Sequence, residues 1–152
     1  MSKILKLAVA LVLVLLTSFP ATAASQSHEV TIEVENIFGQ DAFFFAHGPA
    51  VDAGLICTNG MVYDARLIVA GPPDADRLNF HVTKQFVCDD GSGEFFINLM
   101  AHVVFDPYNN TGPWNILTGS GAYATLHGRG MLKGTPIEGG VYDVYTGWVS
   151  VK

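Results

Sequence analysis

The sequence predicts an all-β fold, a single antiparallel closed β-barrel of about eight strands. Three observations support this prediction. Apolar and polar residues alternate with a period of two along most of the chain, whereas helical periodicity is scarce. Glycine accounts for 16 of the 152 residues and is dispersed between the alternating segments. The part of the chain that follows an N-terminal leader is long enough for one domain with a sizeable core.

The first 23 residues have the pattern of a secretory signal peptide. Lys3 and Lys6 precede an apolar run over residues 7–16, and small residues flank the expected cleavage point after Ala23. The run is about ten residues long, against the roughly 20 that a membrane-spanning helix needs. We therefore expect a secreted or periplasmic protein in which residues 24–152 form the barrel domain, with no stable membrane insertion after cleavage.

The first three strands are predicted in the N-terminal half of the barrel domain. Residues 29–35 alternate between aliphatic side chains and glutamate or threonine, which predicts a strand with one solvated face. A short apolar run at 43–46 predicts a second strand or a buried loop. An Asn-Gly pair at 59–60 is a tight-turn signal. Alternation over 61–69 predicts a third strand, which the Pro- and Asp-rich loop 71–76 ends.

The longest predicted hairpin spans residues 78–105. Its loop at 89–93 is rich in Asp and Gly, and Lys84 alone interrupts the apolar face of its first strand. The apolar residues that share the inner face of the two strands are Leu78, Phe80, Val82, Phe86, Cys88, Phe95, Ile97, Leu99, Ala101, Val103 and Phe105. Lys84 marks a strand end, a bulge or a charge in the lumen.

The C-terminal part completes a set of seven or eight strands. We predict a polar loop over 106–113, a short strand over 114–117 and a last long strand over about 141–151. Turn signals at this spacing suit a barrel or a sandwich. Closure removes exposed strand edges, which favours the barrel, and a two-sheet β-sandwich is the alternative.

Residues 119–130 form a glycine motif, Gly-Ser-Gly-Ala-Tyr-Ala-Thr-Leu-His-Gly-Arg-Gly. A nucleotide-binding loop would need a long helix after it, and none is predicted here. We expect the glycines to permit a sharp bend of a strand. The spacing of Tyr123 and Leu126 predicts one helical turn that places both side chains under the rim of the barrel.

The glycine motif, with Trp114 before it, resembles a segment of the allene oxide cyclase-like and dirigent-like barrels. Residues 86–95 are similar to a hairpin in small exported bacterial relatives of that barrel. The resemblance covers residues 57–133 and implies the barrel fold. It implies no particular activity, because such barrels include cyclases, proteins that direct stereochemistry and many members of unknown role, and fold alone does not define function.

Two cysteines, Cys57 and Cys88, predict one disulfide bridge in an exported chain. Closing a loop of this length contributes about 3–4 kcal/mol in the chain-entropy model. Two free buried thiols are the alternative. Neither cysteine has a second Cys or a His at ligand spacing, so we expect no zinc site. We expect no other metal and no cofactor, and we interpret the five histidines as solvated surface residues.

Charge and side-chain direction limit the function. Fourteen acidic and eight basic residues give a formal net charge of −6, which offers no basic stripe for nucleic acid. An apolar lumen is either filled by its own side chains or holds an apolar ligand. Six residues are our candidate contacts for such a ligand: Tyr63, Phe80, Lys84, Phe86, Phe95 and Leu99.

The leading hypothesis is a non-enzymatic binding or scaffold protein for a small hydrophobic molecule. One alternative is a cofactor-free cyclase or isomerase that acts on an apolar substrate in the lumen. Another is an extracellular protein-interaction module that uses its acidic outer surface. An ionisable group inside the cavity would favour the enzyme.

Overall fold

The computed structural model describes residues 26–152, so the predicted signal peptide lies outside the described residues. Over this part, eight antiparallel strands close into one barrel, in which each strand pairs with the next and the last pairs with the first. The predicted barrel is confirmed, and the sandwich alternative is wrong. In chain order the elements are β1 (His28–Ile37), β2 (Ala42–His47), α1 (Pro49–Asp52), β3 (Asn59–Ala70), β4 (Arg77–Cys88), β5 (Gly93–Phe105), β6 (Tyr108–Gly121), β7 (Leu126–Ile137) and β8 (Gly140–Val151).

Strand β1 shows how alternation builds the wall of the barrel. Its side chains at Val30, Ile32 and Val34 are buried in the interior, whereas Thr31 and Glu33 between them lie on the outer face. The strand pairs with β2 on one side and with β8 on the other. Because neighbouring strands repeat the same alternation, the apolar faces meet inside the barrel. Among residues 26–152, no helix is long and apolar enough to cross a bilayer.

One end of the barrel, which we call the closed end, is filled by aromatic side chains. It lies where β4 ends and β5 begins. Phe86 and Phe95 stack with their ring centroids 5.0 Å apart, and Phe44 meets Phe86 edge-on at 5.2 Å. The ring of Tyr145 meets Phe86 edge-on at 6.0 Å. Ala50 of α1 belongs to the same core. Offset and edge-on aromatic pairs of this kind add to the stabilisation from burial.

A disulfide bridge ties the closed end together. Cys57 and Cys88 are bonded, with their Cα atoms 6.0 Å apart, and both are buried. The bridge joins the segment between α1 and β3 to the last residue of β4. The predicted pairing is confirmed, and the alternative of two free thiols is wrong.

Two segments that we predicted as a turn and as a polar loop are parts of strands. The Asn-Gly pair at 59–60 begins β3, and Gly60 is paired with Cys88 of β4. A Cβ on this glycine would lie 2.0 Å from the carbonyl oxygen of Val87, so close backbone approach, rather than a turn, requires glycine. The segment predicted as a polar loop over 106–113 and a short strand over 114–117 is almost entirely one strand, β6.

Strand β7 was not predicted, because three of its inner positions are glycines (Gly128, Gly130 and Gly134) and only Leu126 and Leu132 on that face are apolar. Gly128 and Gly130 therefore do not mark a bend, as we expected, but lie within the strand.

Trp114 of β6 lies opposite Gly130, and its indole packs over the inner face of Gly147 on β8. The absent side chain at Gly147 makes room for this buried indole, whereas Gly130 lies close to the backbone of Thr146 on β8. The predicted turn before β7 is present at residues 122–125, where it buries Tyr123.

Candidate functional site

The other end of the barrel, which we call the open end, contains a cavity of about 510 Å³. Its volume falls in the range of about 300–1,000 Å³ that is typical of small-molecule sites. The loop between β1 and β2 borders the opening. Most of the wall is apolar, and the main contributors are Val62, Phe80, Val82, Leu99, Val103 and Leu132. The barrel is therefore packed at one end and hollow at the other.

The lining also contains polar side chains. Gln40 and Asp41 belong to the loop between β1 and β2, and Tyr63 and Tyr108 contribute their rings. The remaining five lie on the strands and are called the polar cluster: Asn36, Asp64, Lys84, Asn110 and Asp143.

The ammonium of Lys84 lies 2.7 Å from Asp64 Oδ1 and 3.3 Å from Asn36 Oδ1. The amide of Asn36 donates a hydrogen bond of 2.9 Å to Asp143 Oδ2. A chain of hydrogen bonds thus links four elements of the wall, β1, β3, β4 and β8.

Strand alternation explains why these polar groups point inward. Lys84 lies in the middle of β4 between the buried residues Val82 and Phe86, and it is itself only 7% exposed. Of the three interpretations of this residue, the structure supports a charge in the lumen. The bulge lies in the opposite strand, between Asp64 and Arg66. The extra residue in β3 lets Asp64 face Lys84. It also restores the direction of the strand after the bulge, so that the apolar side chains there still face the lumen.

Burial changes the acidity of three groups in or beside the cavity, Asp143, Tyr145 and Tyr108. Burial raises the pKa of Tyr108, and a hydrogen bond with Asn110 partly offsets this rise.

Burial raises the pKa of Asp143 to about 6, an effect that the nearby charge of Lys84 and the hydrogen bond from Asn36 partly offset. The negative charge of Asp64 adds to the rise. Burial also raises the pKa of Tyr145 well above its ordinary value, and Asp143 contributes to this rise. The carboxyl group of Asp143 thus titrates close to neutral pH.

Four buried polar atoms have no hydrogen-bond partner among the described residues. They are Asn110 Oδ1, Asp143 Oδ1, Tyr145 OH and Trp114 Nε1. A buried polar atom without a partner costs about 1–3 kcal/mol, so folded proteins rarely retain several of them in one region. Two of the four, on Asn110 and Asp143, belong to residues that line the cavity.

The structure brings together four of the six residues that we predicted as ligand contacts. Phe80, Lys84 and Leu99 line the cavity, and Tyr63, which is 43% exposed, also borders it. The remaining two, Phe86 and Phe95, are fully buried in the aromatic core at the closed end and do not line the cavity.

Sequence reasoning missed four residues of the polar cluster. The alternation over 61–69 places Tyr63 on the apolar face and Asp64 on the opposite face, and this assignment of Asp64 is wrong, because Asp64 lines the cavity and contacts Lys84.

Asn36 continues the inward series of β1, and Asp143 lies on the same face of β8 as the buried Tyr145. Asn110 falls in a segment that we predicted as a loop. Extending the alternation by one step in β1 would have placed Asn36 in the lumen, and applying it to β8 would have done the same for Asp143.

Among residues 26–152, no three His, Cys, Asp or Glu side chains lie close enough to hold a metal ion. His102 Nδ1 lies 2.8 Å from Asn79 Oδ1 at exposed positions.

Comparison of the chain with protein-family models and with curated proteins found no match.

Proposed function

We propose that this protein binds a small, largely apolar molecule in the lumen of its barrel and acts by binding rather than by catalysis. The observation that carries the proposal is the cavity itself: apolar walls that surround a polar cluster whose hydrogen bonds are incomplete. Small-molecule sites have this composition, in which apolar surface supplies affinity and a few polar groups fix orientation. A barrel that served only as a rigid scaffold would gain stability from filling both ends alike.

We further propose that the protein is secreted or periplasmic and is an exported relative of the allene oxide cyclase-like and dirigent-like barrels. The leader pattern and the buried disulfide support export, because disulfides persist in oxidising compartments. The motif at residues 119–130 supports the family. No nucleic acid is expected as a partner, because the chain is acidic.

The experiment combines native mass spectrometry with a matched pair of variants. Protein purified from its own source is expected to carry a co-purifying apolar molecule, and the empty protein is expected to bind a polarity-sensitive dye. Ala101 lines the cavity, whereas Ala124 is exposed in the turn at the closed end. Ala101→Phe should weaken dye binding at least about tenfold by filling the cavity, and Ala124→Phe should not. Absence of both ligand and dye binding in the wild type would refute the proposal.

A second candidate, a cofactor-free cyclase or isomerase, is favoured by one specific observation. Asp143 is an acid with a pKa of about 6 that lines the cavity, and a group that titrates near neutral pH is suited to proton transfer. The same mass-spectrometry sample discriminates the two functions. A bound molecule recovered unchanged after prolonged incubation supports binding, whereas its conversion to an isomer of equal mass, detected by NMR, supports the enzyme.

A further inference from the structure

We infer that two copies of this protein associate through residues 66–70 of β3, which pair antiparallel about a two-fold axis at Ile68. The inference goes beyond the proposed function, because it concerns an edge of the barrel wall and not the contents of the cavity. It assigns a partner, which is a second copy of the chain, and the register in which the two strands meet.

Strand β3 extends beyond the end of β2. The pairing of β2 with β3 reaches only Val62, whereas the pairing of β3 with β4 continues to Ala70. Residues 66–70 therefore have a neighbouring strand on one side alone, and we call them the free edge. Alternate residues of such a segment direct their backbone N–H and C=O groups away from the neighbouring strand, where a further strand can bond to them.

The free edge is apolar and uncovered. Leu67, Ile68 and Val69 are 53%, 43% and 47% exposed, and successive side chains of a strand point to opposite faces, so neither face is covered. Arg66 is the only charged residue in the free edge, the segment contains no proline, and the bulge of β3 lies before it. Natural sheets protect edge strands with charges, prolines or bulges, so an apolar edge with a single charge favours strand addition.

The backbone and the sequence of the free edge together select a second copy as the partner. A lipid surface can cover the apolar side chains, but only another peptide strand supplies donors and acceptors to the backbone as well. The free edge is also self-complementary in the antiparallel direction. With the two-fold axis at Ile68, this residue faces its own counterpart and Leu67 faces Val69 of the second copy. This register alone pairs all five residues of the free edge with one another.

The charge pattern is compatible with the same register. Arg66 of each copy lies opposite Ala70 of the other, where the loop 71–76 begins. That loop carries Asp74 and Asp76, and both are exposed. Two symmetry-related attractions between arginine and carboxylate therefore partly offset the repulsion between two chains that each have a formal net charge of −6.

The contact is small. Stable interfaces bury about 1,200–2,000 Å² in total, and a short pair of edge strands buries less, so we expect a reversible dimer that dissociates in the micromolar range. Leu67 also lines the cavity. The second copy would therefore lie beside the open end and extend one side of its wall.

Sedimentation equilibrium over roughly 1 µM to 1 mM tests the inference, and the wild type should shift from monomer to dimer with rising concentration. Ile68→Lys should weaken dimerisation at least about tenfold, because two like charges then meet at the axis. Leu117→Lys, at a position of β6 that is 54% exposed, is the matched control and should dimerise like the wild type. An equimolar mixture of Ile68→Lys and Ile68→Glu should restore association, since opposite charges then face each other.

A crosslink tests the register independently. Cys57 and Cys88 are bonded to each other, so Ile68→Cys would introduce the single free thiol of the described chain. Residues that face each other across an antiparallel pair lie at a distance that a disulfide can bridge. Mild oxidation should therefore convert Ile68→Cys to a covalent dimer at least about tenfold faster than Leu117→Cys.

Each outcome supports or overturns the inference. A wild type that stays monomeric at every concentration would overturn it, and binding of that monomer to phosphatidylcholine vesicles would assign the free edge to a lipid surface instead. Unchanged dimerisation of Ile68→Lys would place the interface elsewhere, and failure of the mixed charges to restore association would overturn the two-fold register. The wild-type measurement needs no variant to fold. Lumenal binding is tested separately by the cavity variants and survives any of these results.

Discussion

Replacing Asp143 by Asn should change how the stability of the barrel depends on pH. The pKa of this carboxyl group is raised from 3.8 to about 6 in the folded protein, mainly by burial. The folded state therefore holds the proton more tightly than the unfolded state does. The carboxyl group has no destabilising effect below 3.8, and its penalty grows as pH rises and is complete above about 6. A shift of this size corresponds to about 3 kcal/mol.

The assay is urea-induced unfolding of the wild type and Asp143→Asn, with the disulfide intact, at pH 4 and pH 7.5. Between these two conditions, the free energy of unfolding of the variant should rise relative to that of the wild type by about 2–3 kcal/mol. Asp74→Asn, at an exposed loop position, is the matched control and should follow the wild type at both pH values. Parallel pH profiles of the wild type and Asp143→Asn would refute the assignment of a buried, raised-pKa carboxyl at this position.

Three further predictions concern the polar cluster, the bridge and the inner glycines. Lys84→Met removes the charge that lowers the pKa of Asp143, so this pKa should rise above about 6 in carboxyl-carbon NMR titrations, and an unchanged value would contradict the geometry. The double variant Cys57→Ser/Cys88→Ser should lose about 3–4 kcal/mol of unfolding free energy, and a loss near zero would argue against the bridge. In Gly147→Ala the new Cβ would lie 2.6 Å from an indole ring carbon, so urea unfolding should show a loss of about 1–3 kcal/mol, whereas wild-type stability would contradict the packing described.

The fold could be predicted where side chains alternate cleanly and could not where glycine replaces the inner residue. Strands β1 and β5 have apolar residues at every second position, and both were predicted close to their observed bounds. Strand β7 has glycine at inner positions such as Gly128 and Gly130, so no period of two is visible. A Cβ on Gly130 would lie 1.9 Å from the carbonyl oxygen of Thr146 on β8, and a Cβ on Gly128 would lie 2.7 Å from Val149, so tertiary contacts without a local signal require these glycines.

The site could be predicted in part for a similar reason. Lys84 was identified because the sequence of β4 alone shows a charged residue on an otherwise apolar face. Its contacts with Asp64 and Asn36 depend on the register of β3 with β4 and on the position of β1 across the lumen. The approach of Asn110 to Asp143 over Gly134 depends on the register of β6, β7 and β8 together. The sequence alone does not give these strand registers, because they are set when the barrel closes.

The pairing of β1 with β8 sets the order in which the molecule can assemble. In the described part of the chain, His28 pairs with Val149, whereas the other strand pairings join consecutive strands. Bringing distant segments together costs more loop entropy than forming a hairpin. A nascent chain that lacks β8 would leave β1 and β7 as open edges and would also lack Asp143. Protection of these two edges against intermolecular strand addition and completion of the cavity wall are therefore acquired in the same event, when the last strand docks.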